Sequence, residues 1–292
     1  MSRFSAIDLS KLPAPAIVEE LDYEAIFQAM LGDAKNRIAA AGGVLDVGNL
    51  ESEPLVIGLQ AAAYREMLLR QRVNDGVKAV LLAYSWGTNL DHLGAYLGTV
   101  RKDGEEDDDF RARIQLAIEA FSTAGPYGAY RYHALSAHAD VRDVAVLGPE
   151  SSEVDPGQVG IWVLSRVGNG APEAELTDAV YDACNAEDVR PLTDQVLVYP
   201  AEITNYQVDV TIKVPRGPDA ETVAELARQR LGAYVTARHG LGLPVTVAGV
   251  IAAAMAPEVV DVDVSSPADD IDPGETGAAY CTASVVTVEV ME

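Results

Sequence analysis

The chain has 292 residues, 49% of them hydrophobic, so it is long enough for two domains and apolar enough to bury real cores instead of remaining disordered. Its 21 basic and 45 acidic residues give a formal net charge of −24, which argues against direct nucleic-acid binding and against attraction to anionic membrane surfaces. The two cysteines, Cys184 and Cys281, are too few and too far apart for a disulfide framework or a metal knuckle, so we expect a reduced, cytoplasmic origin. No run of about 18 uncharged apolar residues occurs, so we expect neither a signal peptide nor a membrane span.

The N-terminal part predicts an extended arm followed by a helix. Prolines interrupt residues 1–20, which therefore form an arm without a core of its own, of the kind that usually lies on a neighbour. A helix is expected to begin at Asp22, whose carboxylate suits the positive end of the helix dipole. Its apolar face has three- and four-residue spacing and comprises Tyr23, Ile26, Phe27, Met30 and Leu31. Residues 42–54 are predicted to connect this helix to the next.

Residues 57–98 predict a helical hairpin. The first helix has an apolar stripe made of Leu69, Val73, Val77, Val80 and Tyr84. An acid and a base one turn apart mark the opposite, solvated side, namely Glu66 and Arg70. After a break at Gly87, Asn89 is expected to cap a short second helix that ends at Gly98. The apolar face of that helix comprises Leu90, Leu93 and Leu97.

An acidic run precedes the next helical segment. Residues 101–109 end in three aspartates that suit the dipole and unpaired amides at the start of a helix, and a cation site is the alternative. The helix expected to follow ends near Gly125, and its face comprises Phe110, Ile114, Ala117 and Phe121. Another helix is predicted over roughly residues 127–138.

Alternating sequences then predict strands. Residues 141–148 and 158–165 flank a turn-rich segment, which is typical of a long hairpin. A helix over about residues 173–186 and a strand over residues 194–201 complete a small α+β layer.

The last part of the chain repeats this plan in part. Residues 206–214 alternate as a strand, two helices follow, and residues 284–290 are expected to pair with the first strand. Residues 259–267 echo residues 141–149, and both segments follow an alanine-rich helix. This pattern indicates a duplicated helix-to-strand module, with chance resemblance as the open alternative.

These elements predict an α+β fold, in which an N-terminal arm and a helical domain precede two small α/β units. The predicted division is residues 1–55 for the N-terminal arm and first helix, 56–125 for the helical domain, 126–202 for the first α/β unit and 203–292 for the second α/β unit.

Motifs for catalysis or ligand binding are weak. His133 and His138 are five residues apart, so they do not share a helix face as a zinc-binding pair four apart does. The glycine-containing loop at residues 165–173 has Glu173 where a dinucleotide-binding loop needs its third glycine. The acidic turn at residues 269–275 does not fit the spacing of an EF-hand loop. We therefore predict no catalytic, cofactor-binding or metal-binding residues and no cofactor.

Six segments carry a family resemblance. They are YREMLLRQRVND, AVLLAY and LDHLG within the hairpin, followed by FRARIQLAIEAFSTAGPYGAYRYHALSA, NAEDVRPLTDQVLV and AAYCTASVVTVEV. In this order they closely resemble the baseplate J family, the wedge proteins of contractile phage tails and of related injection machines. The resemblance covers most of the chain and implies structural assembly, not catalysis.

The resemblance also implies partners and a place. The protein is expected to assemble in the bacterial cytoplasm into the tail baseplate of a virion or particle, with sheath-initiator or hub proteins among its partners. Its arm and first helices are expected to bundle with a second copy and another wedge protein. Its α/β units are expected to join wedges into a ring around the hub and to help trigger sheath contraction. The candidate interface residues are Tyr23, Ile26, Phe27, Met30, Leu31, Leu69, Val73 and Val77.

The same residues permit alternatives to assembly. Packing inside the chain is the alternative for the apolar face that begins at Tyr23. A metal-dependent hydrolase, with acidic ligands from residues 105–109 and 269–275, is a functional alternative of a different class. A generic acidic adaptor, which binds one basic protein without forming a ring, is a third.

Overall fold

The computed structural model describes residues 7–44, 53–122, 124–217 and 219–291, and these form the predicted α+β fold. The helices are α1 (Tyr23–Ala40), α2 (Pro54–Ala79), α3 (Gly87–Tyr96), α4 (Asp107–Leu116), α5 (Tyr127–Ala137), α6 (Ala174–Cys184), α7 (Ala220–Arg238) and α8 (Val247–Ala254). The strands are β1 (Val141–Leu147), β2 (Gln158–Ser165), β3 (Gln195–Pro200), β4 (Glu202–Val214), β5 (Asp261–Ser266) and β6 (Gly277–Val290).

The chain divides into two compact units. The N-terminal unit is Ile7–Val100, and the C-terminal unit contains the residues from Arg101 onward. The finer division into four domains stays a prediction. Residues 1–6 of the predicted arm and residues 45–52 of the predicted connector lie outside the described residues.

Helix α1 begins as its sequence predicts. An Asp22 Oδ1 atom accepts hydrogen bonds from the backbone N–H groups of Glu24 at 2.8 Å and Ala25 at 3.4 Å, which satisfies two amides at the helix start. The chain leaves the helix through Gly42, whose φ of +81° is a conformation that glycine adopts without steric cost. Helix α2 has Pro54 in its first turn, where the missing N–H group costs no helical hydrogen bond.

The corner between α2 and α3 differs from its prediction. Helix α2 ends at Ala79, so Val80 and Tyr84 do not extend its apolar stripe. Residues 80–84 are apolar and carry no glycine or proline, so periodicity alone gives no sign of this stop. Helix α3 begins at Gly87, whose φ of +53° makes the turn, and Asn89 therefore lies inside the helix instead of capping it. The predicted end of α3 is confirmed, because Gly98 follows it with a φ of +73°.

Helix α4 is shorter than predicted. It ends at Leu116, and a turn of 3-10 helix follows at Glu119–Phe121. Because the helical spacing is interrupted there, Phe121 is 72% exposed instead of sharing the buried face of Phe110 and Ile114. The aspartates of the acidic run occupy the first turn of α4, as predicted.

The first α/β layer contains β1, β2 and β3 in that order. Strands β1 and β2 pair antiparallel, which confirms the predicted hairpin, and β3 lies parallel to β2. Helices α5 and α6 pack on this sheet, and the buried side chains between them include Tyr130, Ala134, Val144, Ile161, Val163 and Val180.

The second α/β layer has the strand order β5-β4-β6. Strand β6 pairs with β4, as predicted. The two strands are parallel, in a register that places Val208 beside Ser284 and Val214 beside Val290. Alternate side chains of β4 enter the core beneath α7 and α8, namely Val208, Val210, Ile212 and Val214.

A local arrangement recurs in both layers. Strands β1 and β5 each follow an alanine-rich helix, lie at an edge and run antiparallel to the central strand. The remaining connectivity differs, since the central strand follows β1 in sequence but precedes β5. A duplication therefore stays a prediction.

One residue joins the two layers. Ala201 is the link between β3 and β4, is 6% exposed, and donates its N–H to the carbonyl of Val163 at 3.0 Å. It packs with Leu164 of the first layer and Ala278 of the second in a common apolar cluster. The layers are therefore adjoining parts of one compact unit.

Candidate assembly surfaces

The predicted apolar face of α1 packs on α2 within the N-terminal unit. Phe27 and Leu31 are buried against Val56 and Ala63 of α2, and Tyr23 stacks on Phe27 with ring centroids 6.3 Å apart. This packing inside the chain accounts for the most buried part of the face.

The edge of that face lines an open groove. Ile26 and Met30 are half-buried, and they border a cavity of about 430 Å³ between α1 and α2. Its rim is mainly acidic and includes Glu20, Asp22 and Asp33. The groove therefore combines an apolar floor with negative charge, a combination that suits a basic amphipathic segment.

Helix α2 is apolar on more sides than α1 covers. Its buried face contains Val56, Ala63 and Asn74. At 100° per residue, one exposed row lies to each side of that face. The first row contains Ile57, Tyr64 and Leu68, and the second contains Leu55, Leu69 and Val73. Leu69 and Val73 are 68% and 57% exposed, whereas Val77 is half-buried. Large apolar side chains exposed in two rows of one helix are typical of a surface that other elements cover.

Positive charge separates the two exposed rows of α2. Arg65 and Arg72, seven residues apart, are both exposed between the rows. In a chain of net charge −24, this helix carries four basic and two acidic residues. The local charge of α2 is thus opposite to that of the whole chain.

The described part of the N-terminal arm is fastened to α2 of its own chain. The buried Asn74 side chain accepts the N–H of Glu19 at 3.1 Å and donates to the carbonyl of the same residue at 2.9 Å. Arg70 adds an ion pair to the Glu19 carboxylate at 3.2 Å. Tyr84, which lies outside the apolar stripe, donates its hydroxyl to the carbonyl of Leu12 at 3.1 Å. These contacts hold the arm against α2 and the corner that follows it. The arm contains a turn of 3-10 helix at Leu9–Lys11, so the prediction of an extended arm is wrong for this part of it.

A buried ion pair stabilises the start of the C-terminal unit. Arg113 donates from Nε and Nη2 to the two carboxylate oxygens of Glu105, at 2.8 and 2.6 Å. Both side chains are at most 5% exposed. Burial opposes ionisation of Glu105 and is the largest single influence on it. The hydrogen bonds from Arg113 and from the Lys102 N–H, together with the positive charges of Arg113 and Lys102, more than offset burial, so the pKa of Glu105 lies below its usual value. The Phe110 ring lies beneath the guanidinium groups of Arg113 and Arg101.

Lys102 ties this region to α5. Its ammonium donates to the carbonyls of Leu135 and, at 3.0 Å, of His138, at the C-terminal end of α5. A cation at this position satisfies terminal carbonyls and complements the helix dipole. Burial lowers the pKa of Lys102 to about 8.

Polar contacts fix the junction between the two α/β layers. Arg142 of β1 donates to the carbonyls of Thr236 at 3.0 Å and His239 at 2.8 Å, at the C-terminal end of α7. Asp143 accepts from Arg131 at 2.8 Å and from the N–H of Leu241 at 3.1 Å. The junction thus contains both apolar packing and charge-assisted hydrogen bonds. We expect these contacts together to resist rotation of one layer against the other.

The acidic segments considered as metal ligands contact protein groups. In the run before α4, Asp107, Asp108 and Asp109 form ion pairs with Arg101, Arg111 and Arg166, respectively. In the acidic turn, Asp270 accepts the N–H of Val247 at 2.7 Å, and Asp272 accepts the N–H of Gly274 at 3.0 Å. No group of three or more histidine, cysteine, aspartate or glutamate residues in the described ranges is arranged to hold a metal ion.

Comparison with known proteins identifies the family. The family model described as Baseplate J-like N-terminal domain matches residues 51–108, and the one described as Baseplate J-like central domain matches residues 122–200. Baseplate protein J of Escherichia phage P2 is 40% identical over 297 aligned positions, which cover 94% of this chain and 95% of that protein. The chain belongs to the baseplate J family. It is therefore a structural component of a phage tail baseplate.

The family assignment covers both compact units. The N-terminal match includes α2 and α3, the helices that carry the exposed rows, and reaches the start of α4. The central match begins after α4 and runs through β3, so it includes the first α/β layer. Among the residues that the structure describes, none of the helices is both long and apolar enough to span a membrane.

Sequence reasoning missed the fixing contacts of this baseplate J protein. Asn74 stands in a polar stretch of α2 and gives no sign that it binds a backbone 55 positions away. Arg142 lies in an alternating strand and reads as a solvent-facing residue. Asn74 and Arg142 both form hydrogen bonds with backbone groups. Every residue has a backbone, so the sequence does not show which residue is the partner.

Proposed function

We propose that this baseplate J protein is a wedge component of a contractile tail. Its α2, together with α1 and the arm, enters a helical bundle with a second copy and another wedge protein. Its C-terminal unit contacts the next wedge, so that repeated contacts close a ring around the tail hub. Assembly takes place in the bacterial cytoplasm, where sheath-initiator or hub proteins join the ring.

The exposure of α2 is the observation that carries this proposal. Rows on both flanks of its buried face leave large apolar side chains in water, including Leu69 and Val73. Each fully buried leucine or valine side chain contributes about 1.5–3 kcal/mol of transfer free energy. Partner helices on these flanks would recover that energy, and the arginines between the rows favour acidic partner residues.

The close connection of the two α/β layers supports the second part of the proposal, a role in triggering sheath contraction. The two α/β layers share a one-residue link and charge-assisted contacts, so they belong to one compact unit. Rings built from repeated interfaces change diameter when rigid bodies rotate about those interfaces. A ring of such units can transmit a change at the hub to the sheath.

The bundle is tested by substitution of one exposed row. The protein is mixed with the proteins encoded by its neighbouring genes, and the mass of the complexes is measured by light scattering. We expect wild type to form a multi-protein complex and Leu69→Lys/Val73→Lys to bind at least about 100-fold more weakly, because two buried apolar contacts become charges. The control His92→Lys/Ala95→Lys adds charge at exposed positions of α3, which lies outside the proposed bundle, and should bind as wild type does.

Two results would count against the proposal. One is a strictly monomeric wild-type protein without affinity for these neighbours. The other is undiminished assembly of Leu69→Lys/Val73→Lys. A complex with one basic protein and nothing larger would instead support the acidic adaptor function.

A further inference from the structure

Strand β6 has a long open side. It is an edge strand of the second layer and pairs with β4 along its whole length. Contacts from Leu241 and Gly242 cover its first residues, at Ala278 and Gly277. In the described part of the chain, no strand pairs with the outer side of β6 from Thr282 to Val290.

The direction of each backbone N–H and C=O group shows which residues of β6 present these groups on the outer side of the strand. The N–H of Met291 donates to the carbonyl of Val214 in β4 at 2.9 Å. Because backbone groups alternate sides along a strand, Val286, Val288 and Val290 direct theirs away from β4. The outer side of β6 therefore presents a row of N–H and C=O groups that can pair with another strand.

This edge lacks the usual protection against pairing. Between Thr282 and Val290 the sequence TASVVTVEV contains no proline and no lysine, and Glu289 is its single charged residue. The opposite edge, β5, has 6 residues and presents Asp261 and Asp263, which both pair with Lys213. Of the two edges of this sheet, only β6 is thus both long and nearly uncharged.

Charge allows β6 to pair with itself. Residues directly opposite in an antiparallel pair point to the same face, so a twofold axis at Val285, Val286 or Thr287 places Glu289 opposite Cys281, Ala283 or Val285. No like charges meet in these registers. An antiparallel pair of β5 strands centred on Val262 would instead place Asp261 opposite Asp263.

A second copy also covers the apolar groups on both faces of the edge. Val290 lies on the helix side and Val285 on the open side, and each is 51% exposed. In an antiparallel pair, the same residue types of a second copy extend each face. A twofold contact is closed, so it uses both edges and leaves neither free for further growth.

We propose that β6 pairs antiparallel with β6 of a second copy across a twofold axis near Val286. The pair joins two three-stranded sheets into one continuous sheet of six strands. Its use as the wedge-to-wedge contact of the C-terminal units rests on the proposed function, whereas the pairing itself does not.

The test removes one outward N–H group from the full chain. Proline is tolerated on an edge strand where the N–H faces away from the sheet, so Val288→Pro keeps the β4 pairing. Val288→Ala is the matched control, because it shortens the same side chain and keeps the N–H. By sedimentation equilibrium we expect wild type and Val288→Ala to dimerise, and Val288→Pro to dimerise at least about tenfold more weakly, because two symmetry-related hydrogen bonds are lost.

Amide exchange provides a second measurement on the unaltered protein. The amides of Val286 and Val288 should exchange more slowly as the protein concentration rises, whereas buried amides of β4 should not change. A wild-type chain that stays monomeric, equal dimerisation of Val288→Pro and Val288→Ala, or exchange that is independent of concentration would overturn the proposal.

The two proposals fail separately. Leu69→Lys/Val73→Lys should keep the β6 dimer while it loses the complex with neighbouring proteins. A β6 dimer without any wedge complex would refute the proposed function and leave the β6 pairing in place. A wedge complex with no β6 dimer would refute the β6 pairing and leave the proposed function in place.

Discussion

The ion pair of Glu105 and Arg113 lies at the first residues of the C-terminal unit. Its two parallel hydrogen bonds, at 2.8 and 2.6 Å, satisfy a carboxylate that is almost completely removed from water. Removal of one partner from such a pair leaves an uncompensated buried charge, which is far more costly than the pair is stabilising.

Arg113→Met should therefore destabilise the protein strongly. We expect a loss of about 3–5 kcal/mol at pH 7, measured by urea unfolding, because Glu105 stays buried without its partner. The double variant Glu105→Gln/Arg113→Met should recover part of the loss, since it removes the unpaired charge. Equal stability of wild type and Arg113→Met would show that the pair contributes nothing.

The same pair predicts a pH dependence. The pKa of Glu105 is lowered in the folded protein, so its contribution to stability is present above the ordinary value of 4.5 and is lost as the pH falls through the folded pKa. In Arg113→Met the buried, unpaired carboxyl should have a raised pKa instead. The difference in unfolding free energy between wild type and Arg113→Met should thus shrink as the pH falls from about 7 through 4.5 and below. A constant difference between pH 7 and pH 3 would contradict this assignment.

At the scale of elements, the end of α7 depends on a residue from another layer. Arg142 donates to two carbonyls at this helix terminus, where a positive charge is favoured. Arg142→Ala should lower the unfolding free energy by about 1–3 kcal/mol, since two charge-assisted hydrogen bonds are lost. Urea unfolding measures this change.

Arg142→Lys is the matched control for that prediction. Lysine keeps the positive charge but lacks the forked donor group, so we expect an intermediate stability. Unfolding of Arg142→Ala at the same urea concentration as wild type would show that the contact has no net value.

The elements also differ in how well their sequences predict them. In the second layer, alternation along β4 and β6 identified both the strands and their pairing, because one face of the sheet is buried and the other is wet. Helix α2 gave a less definite pattern. Its apolar residues lie on several faces, so periodicity selected the Leu69 row, whereas the face that meets α1 contains Val56 and Ala63.

The candidate interface shows why the sequence alone could not sort these residues. Tyr23, Phe27 and Leu31 belong to a face that packs on its own chain, but Leu69 and Val73 remain exposed. All five are apolar at helical spacing, and only the position of α1 distinguishes them. Their role in contacts with other chains stays a prediction.

For the whole molecule, the compact units should differ in stability before assembly. The cluster between α1 and α2 has few fully buried side chains, whereas the cores of both α/β layers are extensive. In the isolated chain, amides of α2 should exchange at least about 100-fold faster than those of β4, because less apolar area holds α2 in place.

Binding of partner proteins should slow the amide exchange of α2. After addition of the neighbouring baseplate proteins, the α2 amides should become protected, while amides of β2 should keep their rates. Hydrogen exchange with mass spectrometry measures both. Equal protection of α2 and β4 in the isolated chain would mean that the helices need no partner for stability.

Ala201 gives the C-terminal unit its mechanical character. A long flexible linker would let the two sheets rotate independently, but the single buried residue between β3 and β4 does not. We therefore expect the two sheets to rotate together when a force acts on either one.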